Sequence, residues 1–406
     1  MRRFMLLGMA AVSAGLATGC TEDLFAPGVG ACPAFCPPEQ VAVVDTMLLD
    51  AVLADSAYRG YVLPHEAGAM QLVADPGGAL PTSRVIVRYL PFAERLLLRA
   101  GDTTTGAVLA TDSFGIRVSV QARGGAGLEL AFYRLPVTVD TSTAFGDLDP
   151  YFADSTRLAI VALPDTLTAD SVTARFAADA FPTLDADGRA AAVGVELRAV
   201  DRGFVLLGSL EGADAPIVTR YVQLDSAGVS VPRVEGKLPA VDAFVAPDVP
   251  PPSADLLRVG GAPSARSLLR FTLPPRILDS STVVRATLIL VPAAPAVGAP
   301  GDTLHLLAQG VSVDVGAKSP LIPVAEDTVL VQRVAVPVGV ADTVRLDITT
   351  LVLAWAADST RPRSIMVRAV PEGGAFAEGL FGSSASPASR PAVQITFVPP
   401  LNLGGR

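Results

Sequence analysis

The sequence is poor in the residues that most site chemistry uses. Its 406 residues hold two histidines (His65 and His305), three cysteines, one tryptophan and two lysines (Lys237 and Lys318). Charged residues make up 17% and aromatics 6%. Metal and acid–base centres built from His or Cys clusters are short of parts, and no His-Glu-x-x-His signature occurs. There is no Gly-x-Ser-x-Gly elbow and no glycine-rich phosphate loop between a strand and a helix. The expectation is a non-enzyme without a cofactor. A hydrolase with a hidden carboxylate pair is the minor rival, because such pairs leave no local motif. The 31 basic residues are outnumbered by 40 acidic ones, for a formal charge of −9. That argues against nucleic acid as a partner. The apolar run Ala286–Pro300 holds three prolines and is too short to span a bilayer. Scarce aromatics also argue against a transmembrane β-barrel.

What is present begins with an address. Residues 1–19 read as a signal peptide: Arg2-Arg3, an apolar run Phe4–Leu16, then Ala17-Thr18-Gly19 before Cys20. Ala-Thr-Gly-Cys resembles the lipobox of bacterial lipoproteins, with the usual leucine one place early at Leu16. By that resemblance Cys20 becomes the lipidated first residue, and its acyl chains anchor the protein in a membrane. An ordinary signal peptide with an accidental cysteine is the alternative. Thr21 follows the cysteine, which points to the outer membrane or cell surface. Residues 20–43 then form a polar, proline-rich tether. Within it Cys32 and Cys36 form the expected disulfide, since export means an oxidising compartment.

The body repeats. Arg84-Val-Ile-Val-Arg88-Tyr89 matches Arg266-Ser-Leu-Leu-Arg270-Phe271, and Val195–Val200 matches Ile365–Val370. Val222–Leu224 matches Val393–Ile395, and Phe176–Asp179 matches Trp355–Asp358. Val44-Asp45 and Val241-Asp242 head the two copies. The expected domains are 44–225 and 241–398, with 226–240 as a linker containing Pro232, Gly236 and Pro239, and a tail over 399–406. A duplication of this length means tandem domains, not a solenoid.

Each copy reads as strands. Along Phe114–Arg123, Ile116, Val118, Val120 and Ala122 alternate with Arg117, Ser119, Gln121 and Arg123, the period of a half-buried strand. Val283–Val291, Val329–Val338 and Ala392–Phe397 are similar and rich in β-branched residues. Thr349–Asp358 has apolar residues three and four apart and reads as a short helix, with Asp170–Asp179 as its counterpart. The fold class is therefore all-β: two tandem jelly-roll-like β-sandwiches with a short helix in each.

Ala254–Gly260, Ser267–Leu273, Val284–Leu290, Asp347–Trp355 and Ser383–Val393 together resemble the DNRLRE domain. The resemblance covers nearly the whole second copy. In the first copy it rests on the internal repeat, with Phe176 in place of Trp355 and an insertion around Pro182–Ala190. It implies a jelly-roll sandwich on bacterial surface or secreted proteins, similar in some members to carbohydrate-binding modules. It implies no catalytic residue.

Strand parity places Arg84, Arg88, Arg198, Arg266, Arg270 and Arg368 outward. Such a guanidinium face can grip carboxylates in two-point geometry and would suit an acidic polysaccharide. The rival reading pairs each arginine with a nearby carboxylate, or lays its stem over the sheet. Tyr58 and Tyr61, flanking Arg59 in an expected loop, are the best candidates for exposed ligand-contacting rings. Trp355 reads as core. Asp185-Ala-Asp187-Gly188 and Asp147-Leu-Asp149 are oxygen-rich turns of the kind that hold Ca²⁺, although neither has EF-hand spacing and Asp and Gly are ordinary turn residues. The expected protein is a lipid-anchored envelope module binding a polysaccharide or other envelope ligand. The alternative is a structural lipoprotein that docks another envelope protein.

Overall fold

A computed structural model describes residues 43–76, 82–101, 103–180, 191–247, 256–299, 301–323 and 333–400. Cys20, Cys32, Cys36, Asp185 and Asp187 lie outside the described residues.

The chain is all-β and its strand pairs are antiparallel. It opens with β1 (Val44–Leu48) and β2 (Val52–Arg59). The next strands are β3 (Ala69–Ala74), β4 (Arg84–Tyr89), β5 (Arg95–Leu97), β6 (Thr105–Gly124), β7 (Glu129–Leu135), β8 (Arg157–Ala162) and β9 (Asp170–Ala177). After them come β10 (Ala192–Arg198), β11 (Gly203–Gly208), β12 (Ile217–Ser226), β13 (Val229–Lys237) and β14 (Pro239–Val245). The second half holds β15 (Leu256–Gly260), β16 (Ala265–Phe271), α1 (Pro275–Leu278), β17 (Thr282–Leu290) and β18 (Thr303–Gly310). It ends with β19 (Val334–Pro337), β20 (Val344–Asp347), α2 (Thr349–Ala357), β21 (Ser364–Ala369), β22 (Glu378–Gly382) and β23 (Ala392–Val398).

The strands stack as two sandwiches. In the first, the sheet β14-β4-β10-β7-β8 faces the sheet β13-β12-β6-β11-β3, with β5 and β9 also on β6. Val85, Val87, Tyr89, Phe114, Ile116, Val118 and Val120 fill the core between them. In the second, β19-β18-β21-β16-β15-β22, with β2 beside β16, faces β1-β23-β17-β20. Its core holds Leu269, Phe271, Leu288, Trp355, Ile365 and Ile395. The repeat survives as topology. The order β14-β4-β10-β7 in the first sandwich corresponds to β2-β16-β21-β18 in the second, and β13-β12-β6 corresponds to β1-β23-β17.

That correspondence redraws the boundaries. Residues 226–240 are not a linker. Ala227 and Gly228, both at positive φ (53° and 84°), turn β12 into β13 as a two-residue hairpin. Pro232 sits on an edge strand and Pro239 begins one, where a missing N–H costs no ladder bond. The chain then crosses to the opposite sheet and β14 pairs with β4. The equivalent unit at the N-terminus, β1 and β2, does not join the strands that follow it. β1 pairs with β23 and β2 with β16, so the chain's first strands complete its second sandwich. Val44-Asp45 and Val241-Asp242 are accordingly not structural equivalents: the first lies on β1, the second on β14.

The helix expectation holds in one copy only. α2 forms as read, and Asp347 accepts the Thr349 N–H at 2.8 Å, satisfying a donor the helix leaves open. Trp355 is buried against Phe271, ring centroids 5.5 Å apart. Asp170–Ala177 is instead the strand β9. Ala174 and Phe176 are buried while Thr173, Arg175 and Ala177 are exposed, so period-two burial overrides the positional match to α2.

The described residues form one compact unit. Gln71 on β3 is buried at the junction of the sandwiches. Its Nε2 donates to Asp302 Oδ2 at 2.8 Å and its Oε1 accepts the Phe376 N–H at 2.7 Å. Phe376 in turn enters the first core and meets Phe244 edge-on at 5.3 Å.

Candidate ligand cleft on the second sandwich

The outer face of β16 carries Arg266, Leu268 and Arg270, as parity predicts, with Arg368 on neighbouring β21. Leu268 and Met366 are buried there with Val311, covered by Tyr58, Tyr61 and Leu321. Two loops deliver acids to the arginines. Arg266 makes a two-point bond to Glu372 at 2.7 and 2.8 Å. Arg270 makes the same kind of bond to Asp314 at 2.7 and 2.8 Å. Arg368 donates to Gln309 Oε1 at 2.8 Å and lies 3.5 Å from Glu372. The Arg270 hydrogen bonds, helped by the Ser364 hydroxyl and the Gly316 N–H, lower the Asp314 carboxyl to about 2.

The chain turns at Gly60, whose φ of 94° suits glycine. Tyr58 lies within β2, paired opposite Arg266, and not in a loop, while Tyr61 follows the turn. Tyr61 donates to the Ala317 carbonyl at 2.7 Å and lies under the Arg266 guanidinium, 4.1 Å from ring centre to carbon. Burial raises its phenol above the ordinary value. Between these groups and the turn Gly316–Lys318 is an open cleft of about 420 Å³, lined by Tyr58, Arg59, Tyr61, Arg266 and Lys318 among others. Arg59 is paired with Glu378, which Arg258 also holds. Lys318 is exposed and has no partner among the described residues.

The structure thus brings together Tyr58, Tyr61, Arg266, Arg270 and Arg368. It places Arg84, Arg88 and Arg198 apart, on the first sandwich. Arg84 is held by Asp149 at 2.7 Å and lies against the rings of Phe145 and Phe152, 4.4 and 4.5 Å away. Asp149, half of the second oxygen-rich turn, is thereby an arginine partner. Arg88 reaches the Val137 carbonyl at 3.4 Å, and Arg198 is exposed at the end of β10. Among the described residues no group of three or more His, Cys, Asp or Glu side chains could hold a metal.

Sequence reading missed Arg59 and Lys318 as cleft residues. Nothing local marks Lys318; only its fold position, opposite a strand from the far end of the chain, makes it part of a site. No protein-family model matches the chain, and no curated protein matches its sequence.

Proposed function

We propose that this chain is a non-catalytic, lipid-anchored module of a bacterial cell envelope whose second sandwich holds an acidic polysaccharide. The observation that carries the reading is the cleft itself, where Lys318, without a partner among the described residues, stands beside Tyr58 and Tyr61. Aromatic rings offer apolar area to sugar faces, and a compact ammonium offers a point charge to a carboxylate. The arginines shape the cleft and do not grip the ligand, since Arg59 and Arg266 are already bound to glutamates. Anchoring at the outer membrane or cell surface through Cys20, and kinship with DNRLRE-type domains, rest on the sequence patterns above.

The test is a glycan array with the full chain, followed by titration of the best anionic glycan. Lys318→Ala and Tyr58→Ala should each weaken binding roughly tenfold, the size of one charged or stacked contact. Added salt should weaken it further. Binding that ignores both substitutions would end the reading.

An assembly role is the second reading. It is favoured by an apolar groove of about 510 Å³ lined by Met47–Ala51 and Thr272–Pro275, where Met47 and Leu49 are exposed. No glycan signal, together with one envelope protein recovered by the full chain but lost in Met47→Asp, would move the protein to that class.

A further inference from the structure

The outer face of β6 carries a second groove, unrelated to the arginine-lined cleft. It lies on the first sandwich, where β12 begins at Ile217 beside β6 and the connection from β11 leaves the sheet. Its volume is about 620 Å³, within the range of about 300–1,000 Å³ usual for ligand sites.

The polar groups lining it are open. Arg117 is exposed and makes no ion pair or side-chain hydrogen bond among the described residues, unlike Arg123 on the same strand, which is tied to Pro164 and Asp165. The Ser119 hydroxyl and the Asp214 carboxylate also have no side-chain partner among the described residues. Gln121 donates its amide N–H to the Ala213 carbonyl at 3.3 Å, and its own oxygen accepts no hydrogen bond among the described residues. Asp170 uses Oδ1 on the Ser171 N–H and keeps Oδ2. Asp214 is held in place by a left-handed backbone, φ 62°. Beside these, Leu238 exposes 48% of its surface and Ile217 is half-buried.

We propose that this groove is a second binding site, and that it takes a neutral polyhydroxyl chain, a polysaccharide without acidic groups. Each hydroxyl of such a chain both donates and accepts, which matches a groove where open donors (Arg117, Ser119) stand among open acceptors (Gln121, Asp170, Asp214). Two carboxylates against one guanidinium repel a polyanion. The guanidinium in turn opposes a bound cation. Ile217 and Leu238 give the C–H face of a sugar ring an apolar surface to lie on. The site is independent of the cleft in the second sandwich and differs from it in the charge of its ligand.

The test is native gel electrophoresis of the full chain through gels containing a mannan, a xylan or a mixed-linkage β-glucan. At least one should retard the protein, and raising salt to about 0.5 M, where the screening length is only a few ångströms, should leave the retardation in place. Arg117→Ala and Asp214→Asn should each weaken it roughly tenfold or more, the scale of one lost charged hydrogen bond. Lys318→Ala should leave it unchanged. Arg117 is exposed and unpartnered, so its loss leaves the fold intact, which an unchanged melting temperature verifies. Absence of retardation in all three gels would overturn the proposal. So would retardation that survives Arg117→Ala, or that disappears with Lys318→Ala, which would assign neutral glycan to the other cleft.

Discussion

Asp314 and Asp242 show how differently two carboxylates act in one fold. Asp314 faces Arg270, Ser364 and the Gly316 N–H, and these donors lower it to about 2. Its folded value lies below its unfolded one, so its stabilisation is complete above about pH 4 and disappears as pH falls through about 2. Asp314→Asn should cost about 1.5–3 kcal/mol at neutral pH, the worth of hydrogen bonds to a charged group. It should also remove part of the acid limb of the melting-temperature profile. Asp242 is the reverse case. Burial, and after it the neighbouring Glu211 carboxylate, raise it to about 6, against the opposing Leu210 N–H bond at 2.8 Å. Its Oδ1 and the Tyr89 hydroxyl are both buried without a hydrogen-bond partner. A raised carboxyl contributes most below the unfolded value, and that contribution is lost as pH climbs through about 6. Asp242→Asn should therefore raise the melting temperature at pH 7 and flatten its fall between pH 4 and 6. A variant less stable than the parent at pH 7 would contradict this. At this scale the sequence showed the repeated arginines by their spacing. It could not show Glu372 or Asp314, since each acid lies some 40 or more positions from its arginine and meets it only through the fold.

Strands were the most legible elements, because burial on one face writes an alternating pattern. Ile116, Val118 and Val120 on β6 are buried as read, and β17, β23 and α2 fall within a residue or two of their expected places. At β9 the position in the repeat predicts a helix, and the segment's own alternation makes a strand. β13 and β14 were missed for a related reason: proline and glycine read as linker are tolerated wherever a strand has a free edge. The contrast between Trp355 and Phe176, matched in the repeat, gives a check on the element assignment. Trp355 sits on a helix packed over the second core, so Trp355→Ala should cost about 3–5 kcal/mol through the cavity it leaves. Phe176 lies on a strand beside β6, stacked near Phe114 at 6.2 Å. Phe176→Lys should expel that edge of β9 and raise amide exchange in the facing stretch of β6, Ser113–Gly115, a loss that only a strand paired to β6 would cause.

At the scale of the molecule, the duplication is visible in sequence but its closure is not, because a strand's partner is not encoded next to it. Each copy has a two-strand unit crossing from one sheet to the other. The second copy's unit, β13 and β14, completes the first sandwich, and the first copy's unit, β1 and β2, completes the second. The N-terminal unit is tied in at several points: Ser384 N–H to Asp55, Gln394 to Asp45 at 2.9 Å, and Arg390 to Asp50. Ala51 and Val52 enter the second core directly. The first sandwich is continuous from β3 to β14, while the second depends on residues some 200 positions upstream of its own body. Removal of residues 1–60 should consequently damage the distant half of the chain. Exchange protection should collapse in β16 and β23, whose neighbours are lost, and persist in β4, β6 and β10. A synthetic peptide covering residues 43–60, added in trans, should restore it, because the slot beside β16 and β23 remains open for the missing strands. Collapse of β4, β6 and β10 first, or full protection of the second sandwich without β1 and β2, would mean that each copy closes on itself. The exchanged unit also explains how the cleft is built: Tyr58 and Tyr61 belong to the first copy, Arg266 and Lys318 to the second, and only this closure places them on one face.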